Sequence, residues 1–179
     1  MNPIPRIALI AAALALTTAA LATPARAAEF IPYEKNPYDP KGQPGIYMKS
    51  FILPGDDQKF IAVAQNYKDR SILLLDSPGG HGMEAMNIGR WVRQHRWKTI
   101  LADGASCTSG CALVWIAGVS RQLNRYFGDR IGLHSARTLD GKRADNANEL
   151  IVVYLKEMGA PKEFIDLWLK AEPWEMIYR

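Results

Sequence analysis

The sequence predicts a single α/β domain, and three observations carry that prediction. Ser71 to Asp76 frames a continuous apolar run, the pattern of a strand covered on both faces of its sheet. Strand-like segments alternate with segments of helical spacing on either side of it. Once an N-terminal leader is set aside, 152 of the 179 residues remain, enough for one domain with a real core.

The leader is read from three adjoining features. Arg6 supplies a basic start, Ile7 to Ala22 is apolar and rich in Ala and Leu, and Ala25-Arg26-Ala27 is a small-residue cleavage site. Residues 1–27 are therefore read as a signal peptide, the mature chain begins at Ala28, and its destination is periplasmic or secreted. An uncleaved anchor is the competing reading, but an apolar run of about 16 residues is short for a hydrocarbon core of roughly 30 Å. No later stretch is long enough to span, since Ala112 to Val119 is about half the required length. Removing Arg6 and Arg26 lowers the 22 basic residues to 20 against 18 acidic ones, and the net charge from +4 to +2. Basic residues do collect between Arg90 and Lys98, which fits a solvated helix face; with export and so weak a net charge, no nucleic-acid partner is expected.

The mature chain then reads in order. Residues 28–45 carry four prolines and little periodicity, so they form an extended arm able to cross to a neighbouring subunit. The domain proper spans 46–179. Ile46 to Leu53 is a strand, Pro54-Gly-Asp-Asp turns into a helix reaching about Tyr67, and the apolar strand ending at Asp76 delivers a Ser77-Pro-Gly-Gly turn. Ile88, Trp91, Val92 and His95 follow helical spacing, Thr99 to Ala102 is the next strand, and Ser109 opens a helix that is apolar all round through Ala117. Ile131 to Leu133 is a strand leading into His134. After a polar loop from Arg137 to Ala144, Asp145 caps a helix with Ala147, Leu150, Ile151, Tyr154, Leu155 and Met158 on one stripe. Gly159 ends that helix, and Pro161 opens another with Phe164, Leu167 and Trp168 apolar.

The chemistry concentrates around Ser109. A hydroxyl is a weak nucleophile and needs an imidazole to take its proton, while a tetrahedral oxyanion needs pre-aimed N–H donors. His134 stands 25 residues after the serine, and the glycine turn ends 29 residues before it. Glycines let backbone approach a reacting carbonyl closely, so Gly79 and Gly80 suit an oxyanion wall. A serine at a helix start also has a plain capping role. The buried helix behind it, Gly80, Gly110 and the histidine favour catalysis, helped by helix N-terminal N–H groups that attract a developing negative charge. His81 adjoins the turn and is expected to contact substrate, whereas His95 is expected to face solvent. Cys107 and Cys111 flank the serine, and an isolated pair in an exported chain is expected to be oxidised. Its five-residue loop contributes only roughly 2 kcal/mol in the chain-entropy description, so the bridge serves mainly to fix the elbow presenting Ser109. Two buried thiols are the alternative. A metal site would need two further ligands, and none of the three histidines is spaced near the pair, so neither metal nor cofactor is expected.

Leu75-Asp-Ser-Pro-Gly-Gly, Ser109-Gly-Cys-Ala-Leu-Val-Trp-Ile-Ala-Gly118 and Arg130-Ile-Gly-Leu-His134, in this order and at these separations, resemble the ClpP/crotonase superfamily, most of all its periplasmic ClpP-like serine protease branch. The likeness runs from about Ile46 to the C-terminus. It implies stacked ββα units in one domain, Ser109 as nucleophile, His134 as base, and Gly80 and Gly110 as oxyanion donors. It implies a peptide or protein substrate and, through the helical hairpin after residue 145, a homo-oligomer. The family's third residue is an aspartate that orients the histidine. No aspartate follows Asp166 here, and Glu175 occupies the corresponding place, with Met176 and Ile177 as its supporting strand. Members usually continue through another helix and strand, which the resemblance implies are lacking here. The expected function is an exported serine hydrolase of peptidase type. The alternatives are a non-catalytic binding or assembly module with a degenerate triad, acyl-thioester chemistry of the crotonase kind, which an exported location disfavours because it needs coenzyme A, and a Ser-Lys dyad using Lys98 or Lys142.

Overall fold

The computed structural model describes residues 26–35, 42–123 and 130–179. The expected signal peptide lies outside the described residues up to position 25, as does the 36–41 portion of the expected arm. Along the chain come β1 (Glu29–Tyr33), β2 (Gly45–Lys49), α1 (Asp56–Ala64), β3 (Ile72–Asp76), α2 (Gly82–Gln94), β4 (Lys98–Leu101), β5 (Ser106–Thr108), α3 (Gly110–Ala117), β6 (Arg121–Gln122), β7 (Arg130–Leu133), α4 (Asp145–Glu157), α5 (Lys162–Lys170) and β8 (Ile177–Tyr178). The result is a mixed α/β domain, as the alternating pattern predicts.

Five strands form one sheet in the order β1-β2-β3-β4-β6, with β1 antiparallel and the remaining pairs parallel. The apolar run of β3 is explained by its place at the centre. Leu73 and Leu75 join the main core with Ile46, Met48 and the helices, while Ile72 and Leu74 meet Ile100, Tyr33 and Tyr47 on the opposite face. A second sheet of three strands, β5-β7-β8, is parallel between β5 and β7 and antiparallel between β7 and β8. The two sheets meet where Ser77, just past β3, bridges Cys107 on β5. That junction places the glycine turn beside the serine.

The helices lock this arrangement from one side. On α2, Gly89 leaves room for the Tyr154 hydroxyl, which donates to the Leu113 carbonyl of α3 at 2.8 Å. Arg93 of the same helix donates to the carbonyls of Ile116 and Met158, tying the ends of α3 and α4 together. Among the described residues, no helix is long and apolar enough to cross a membrane.

Several elements depart from the sequence reading. The start of the expected arm is the edge strand β1, and Pro32 is tolerated there because an edge residue need not donate to a ladder. Asp145 is the first residue of α4, with Ala144 at the cap and no side-chain capping bond. The buried stripe of that helix is Asn148, Ile151, Tyr154 and Leu155, whereas Leu150 is 56% exposed. His95 does not point to water alone: its ring stacks on Trp91 at 3.8 Å, and Nδ1 lies 3.0 Å from the Trp91 carbonyl. The polar loop after Arg137 closes on itself as a hairpin, with Thr138 N–H donating to the Lys142 carbonyl.

Candidate active site

Ser109 sits between β5 and α3 at φ 55° and ψ −123°, a left-handed conformation unusual for a residue with a side chain. Holding a residue there costs on the order of 1–3 kcal/mol, so the surroundings must over-determine it. They do so from both ends. The Ser109 N–H donates to the Gly132 carbonyl of β7, and its own carbonyl accepts from Ala112, both at 2.9 Å. Cys107 and Cys111 form a disulfide across the elbow with Cα atoms 5.1 Å apart, and both residues are fully buried. The oxidised pair expected from the sequence is therefore present.

The glycine turn is fastened onto this elbow. Buried Ser77 donates its hydroxyl to the Ser50 carbonyl and accepts from the Gly79 N–H at 3.0 Å, while the Thr108 hydroxyl donates to the Pro78 carbonyl at 2.9 Å. Gly79 and Gly80 adopt φ values of +89° and +142°. A methyl added at Gly79 would fall 2.3 Å from the Thr108 carbonyl, 2.6 Å from the Gly110 nitrogen and 2.8 Å from Ser109 Cβ. One at Gly110 would lie 3.2 Å from both the nitrogen and the oxygen of Gly80. The turn and the elbow thus touch through bare backbone. As the first residue of α3, Gly110 carries one of the N–H groups that a helix cannot satisfy internally. Among the described residues, neither its N–H nor that of Gly80 is donated to another group.

His134 follows β7 directly. Its Nδ1 lies 2.8 Å from the Ser135 carbonyl, which can only accept; the proton therefore resides on Nδ1, leaving a lone pair on Nε2. Burial lowers the imidazole pKa below its ordinary value and nearby Arg137 pushes the same way, against the Ser135 carbonyl, which raises it. The ring is thus neutral near pH 7. Among the described residues, no hydrogen bond joins it to Ser109, a looseness common where no substrate is bound.

The carbonyl that orients His134 is itself held by a residue that sequence reasoning missed. Asn148 on α4 is 3% exposed and uses its whole amide: Oδ1 accepts from Ala136 N–H and Trp168 Nε1, and Nδ2 donates to the carbonyls of Ala136 and Ala144. Clamping Ala136 on both its N–H and its carbonyl fixes the peptide next to Ser135. The available signal was a lone amide three residues before Ile151, inside an apolar stripe.

Among the described residues, no hydrogen bond or ion pair joins Glu175 to His134, whose Nδ1 is on the Ser135 carbonyl. The β7–β8 ladder stops at Leu133 opposite Ile177, and the next inward-facing amide, Ser135 N–H, donates instead to the Ala171 carbonyl. The intervening residues include a turn closed by Glu175 N–H on the Glu172 carbonyl, and Glu175 is exposed. The Met176–Ile177 strand expected beside it does form in part, as β8 at Ile177–Tyr178. Neither lysine serves the site: Lys98 pairs with Ile72 at the opposite end of the parallel strands from the glycine turn, and Lys142 is salt-bridged to Asp140.

Ser109, Gly80, Gly110 and His134 line one cleft of about 870 Å³. Met86, Leu113, Ile151 and Trp168 supply apolar wall, and the Arg137–Gly141 hairpin forms a polar rim. His81 lines the same space, with its ring against the Glu84 carboxylate. Among the described residues, no cluster of three or more His, Cys, Asp or Glu side chains is assembled that could hold a metal ion. The arrangement can deliver a hydroxyl to a carbonyl carbon, accept its proton on a neutral imidazole and present two N–H groups to the oxygen.

No protein-family profile matches the chain, and no curated protein does. Solved structures do. A mutant form of 1510-N, a membrane-bound stomatin-specific protease, superimposes with a TM-score of 0.50 at 19% identity, covering 68% of this chain and 66% of that one. The ClpP protease catalytic domain from Plasmodium falciparum gives 0.55 at 17% identity, covering 74% of each chain. At such identities the likeness is one of architecture, and the architecture is that of the ClpP-like proteases.

Proposed function

We propose that the chain is an exported serine hydrolase of peptidase type. The observation that carries the reading is the strained Ser109 elbow with the Gly79–Gly80 turn pressed onto it through bare backbone. Nothing in simple capping calls for that second loop. In the proposed cycle, Nε2 of His134 takes the Ser109 proton as Oγ attacks the acyl carbonyl. Gly80 and Gly110 N–H groups stabilise the oxyanion, and the imidazolium returns its proton to the leaving amine. Water then attacks the acyl-enzyme with His134 again as base, releasing the acid and restoring the serine. Ser135 and Asn148 take the orienting role expected of Glu175. Periplasmic or extracellular location is proposed from the leader of residues 1–27 and is supported by the oxidised Cys107–Cys111 pair. A homo-oligomer is proposed as well, on the support of Leu150 and Val153 of α4 and of Trp174, all exposed.

Fluorophosphonate treatment followed by intact-mass analysis tests the reading without knowledge of the substrate. One adduct is expected on the mature protein and none on Ser109→Ala; folded wild type that stays unlabelled rejects it. The second reading, a binding module on the same scaffold, is favoured by one observation: the His134 ring is held by a carbonyl where the family's triad has a carboxylate. Loss of an orienting carboxylate lowers triad turnover by roughly ten thousandfold while leaving residual catalysis. The labelling rate therefore separates the two readings better than its mere presence.

A further inference from the structure

A second constellation lies away from the serine, where the predicted cleavage site meets α1. The first residue left by removal of 1–27 is Ala28, and its nitrogen lies 3.0 Å from Asp56 Oδ2 in a buried contact. The Asp56 side chain is fully buried. Its other oxygen, Oδ1, meets Lys59 Nζ at 2.7 Å, but Lys59 is 58% exposed and is shared with water. A carboxylate removed from solvent needs compensation on both oxygens. Among the described residues, the partners on the Oδ2 side are two uncharged N–H groups, those of Ala28 and of Leu53 at 2.8 Å.

We infer that Asp56 is a built receptor for the α-ammonium group that leader removal creates at Ala28, and that this ion pair fastens the Gly79–Gly80 turn. The two halves of the argument are independent. Sequence composition alone puts the new terminus at Ala28, and structure alone puts that nitrogen on a buried carboxylate. Cleavage converts a neutral amide into a cation with three N–H donors, turning a bond from a neutral N–H to the carboxylate into an ion pair in which both partners are charged. The same Oδ2 holds Leu53, whose neighbour Ile52 donates to the Gly79 carbonyl at 2.8 Å and accepts from His81 N–H at 2.7 Å. Leu53 and Ile52 thus form a short link between the carboxylate and the glycine turn. Cleavage also removes the bond from Phe51 N–H to the Arg26 carbonyl, so the ion pair must outweigh that loss.

The inference rests on the cleavage site proposed above and not on catalysis. Two chains are compared, one beginning at Ala28 and one at Ala27, each released from a fusion by a protease that leaves no added residue. The extra residue moves the charge by about 3.5 Å and leaves an amide at Ala28. The Ala28 chain is expected to melt about 3–6 °C higher, the shift typical of one partly buried ionic contact in a domain of this size. Asp56→Asn should abolish the difference. If that variant does not fold, acylation of the α-amine at pH 8 decides, since a paired amine should react at least about tenfold more slowly than in the unfolded chain. Amide exchange at Ile52 and His81 should be slower in the Ala28 chain. Equal melting with a freely reactive amine overturns the receptor, and equal exchange overturns its link to the turn. Exported material that begins at a residue other than Ala28 overturns the cleavage reading instead, and intact mass reports that separately.

Discussion

Gly79→Ala is the sharpest probe of whether the glycine turn and the serine elbow act as one unit. The added methyl would meet the Thr108 carbonyl at 2.3 Å and Ser109 Cβ at 2.8 Å, whereas ordinary contact begins near 3.4 Å. Relief requires a separation of about 1 Å between turn and elbow, because the first obstacle is backbone and cannot swing aside. Misplacing catalytic groups by about 1 Å costs on the order of a hundredfold in rate. That corresponds to about 2.7 kcal/mol of transition-state stabilisation, the scale of losing one oxyanion donor. The positive φ of +89° adds about 1–2 kcal/mol of native-state strain, so the melting temperature should fall too. The assay is the second-order rate of fluorophosphonate labelling, measured on protein whose circular dichroism and size-exclusion volume match wild type. A labelling rate within twofold of wild type in a folded variant would refute the oxyanion assignment.

Further outcomes follow from the same geometry. Ser109→Gly should abolish labelling yet raise thermal stability by about 1 kcal/mol, since glycine occupies φ 55° without strain; a destabilised variant would count against a strained elbow. Because burial holds the His134 pKa below its ordinary value, labelling should persist on acidification below about pH 6.5, the usual histidine midpoint, and fall only lower. The same shift makes His134 a source of stability above pH 6.5 that is lost as pH falls through the folded pKa, which chemical denaturation at several pH values would reveal. Replacing Cys107 and Cys111 together by alanine should cost roughly 2 kcal/mol of stability in the chain-entropy description, read from urea midpoints. Asn148→Ala should cost about 3–5 kcal/mol, because each of several buried partners then loses its bond at about 1–3 kcal/mol; an unchanged midpoint would show those groups finding other partners.

The parallel core was legible because its strands are buried on both faces, and burial leaves a mark in composition that needs no partner to be known. Leu73 and Leu75 announce themselves. The Ser109 elbow was legible for a different reason: a serine opening a helix has a plain capping role, but Gly80, Gly110 and His134 at their separations call for more than a cap. What escaped were features that depend on another segment. β5 is the triplet Ser-Cys-Thr, too short for any period, and exists because Ser77 exchanges backbone bonds with the Ser106 carbonyl and Thr108 N–H on one side while β7 pairs with it on the other. β1 contains a proline and reads as linker until β2 is beside it. Glu175 was placed by sequence distance from His134, but the path of the chain between Ala171 and Ile177 is set by which carbonyl Ser135 N–H reaches, and linear order does not encode that.

The amide of Asn148 has a bearing on how relatives of this chain could be recognised. Its oxygen and nitrogen each serve two partners on three different segments, so neither aspartate, which cannot donate when ionised, nor glutamine, which is one methylene longer, can substitute without loss. A position with one admissible letter is a better fingerprint than an apolar stripe, which drifts freely among Leu, Ile, Val and Met. In chains too diverged for overall similarity to speak, a Ser-Gly-Cys elbow followed by Gly-Leu-His and then by an asparagine 14 residues after the histidine is a pattern that the geometry itself would preserve.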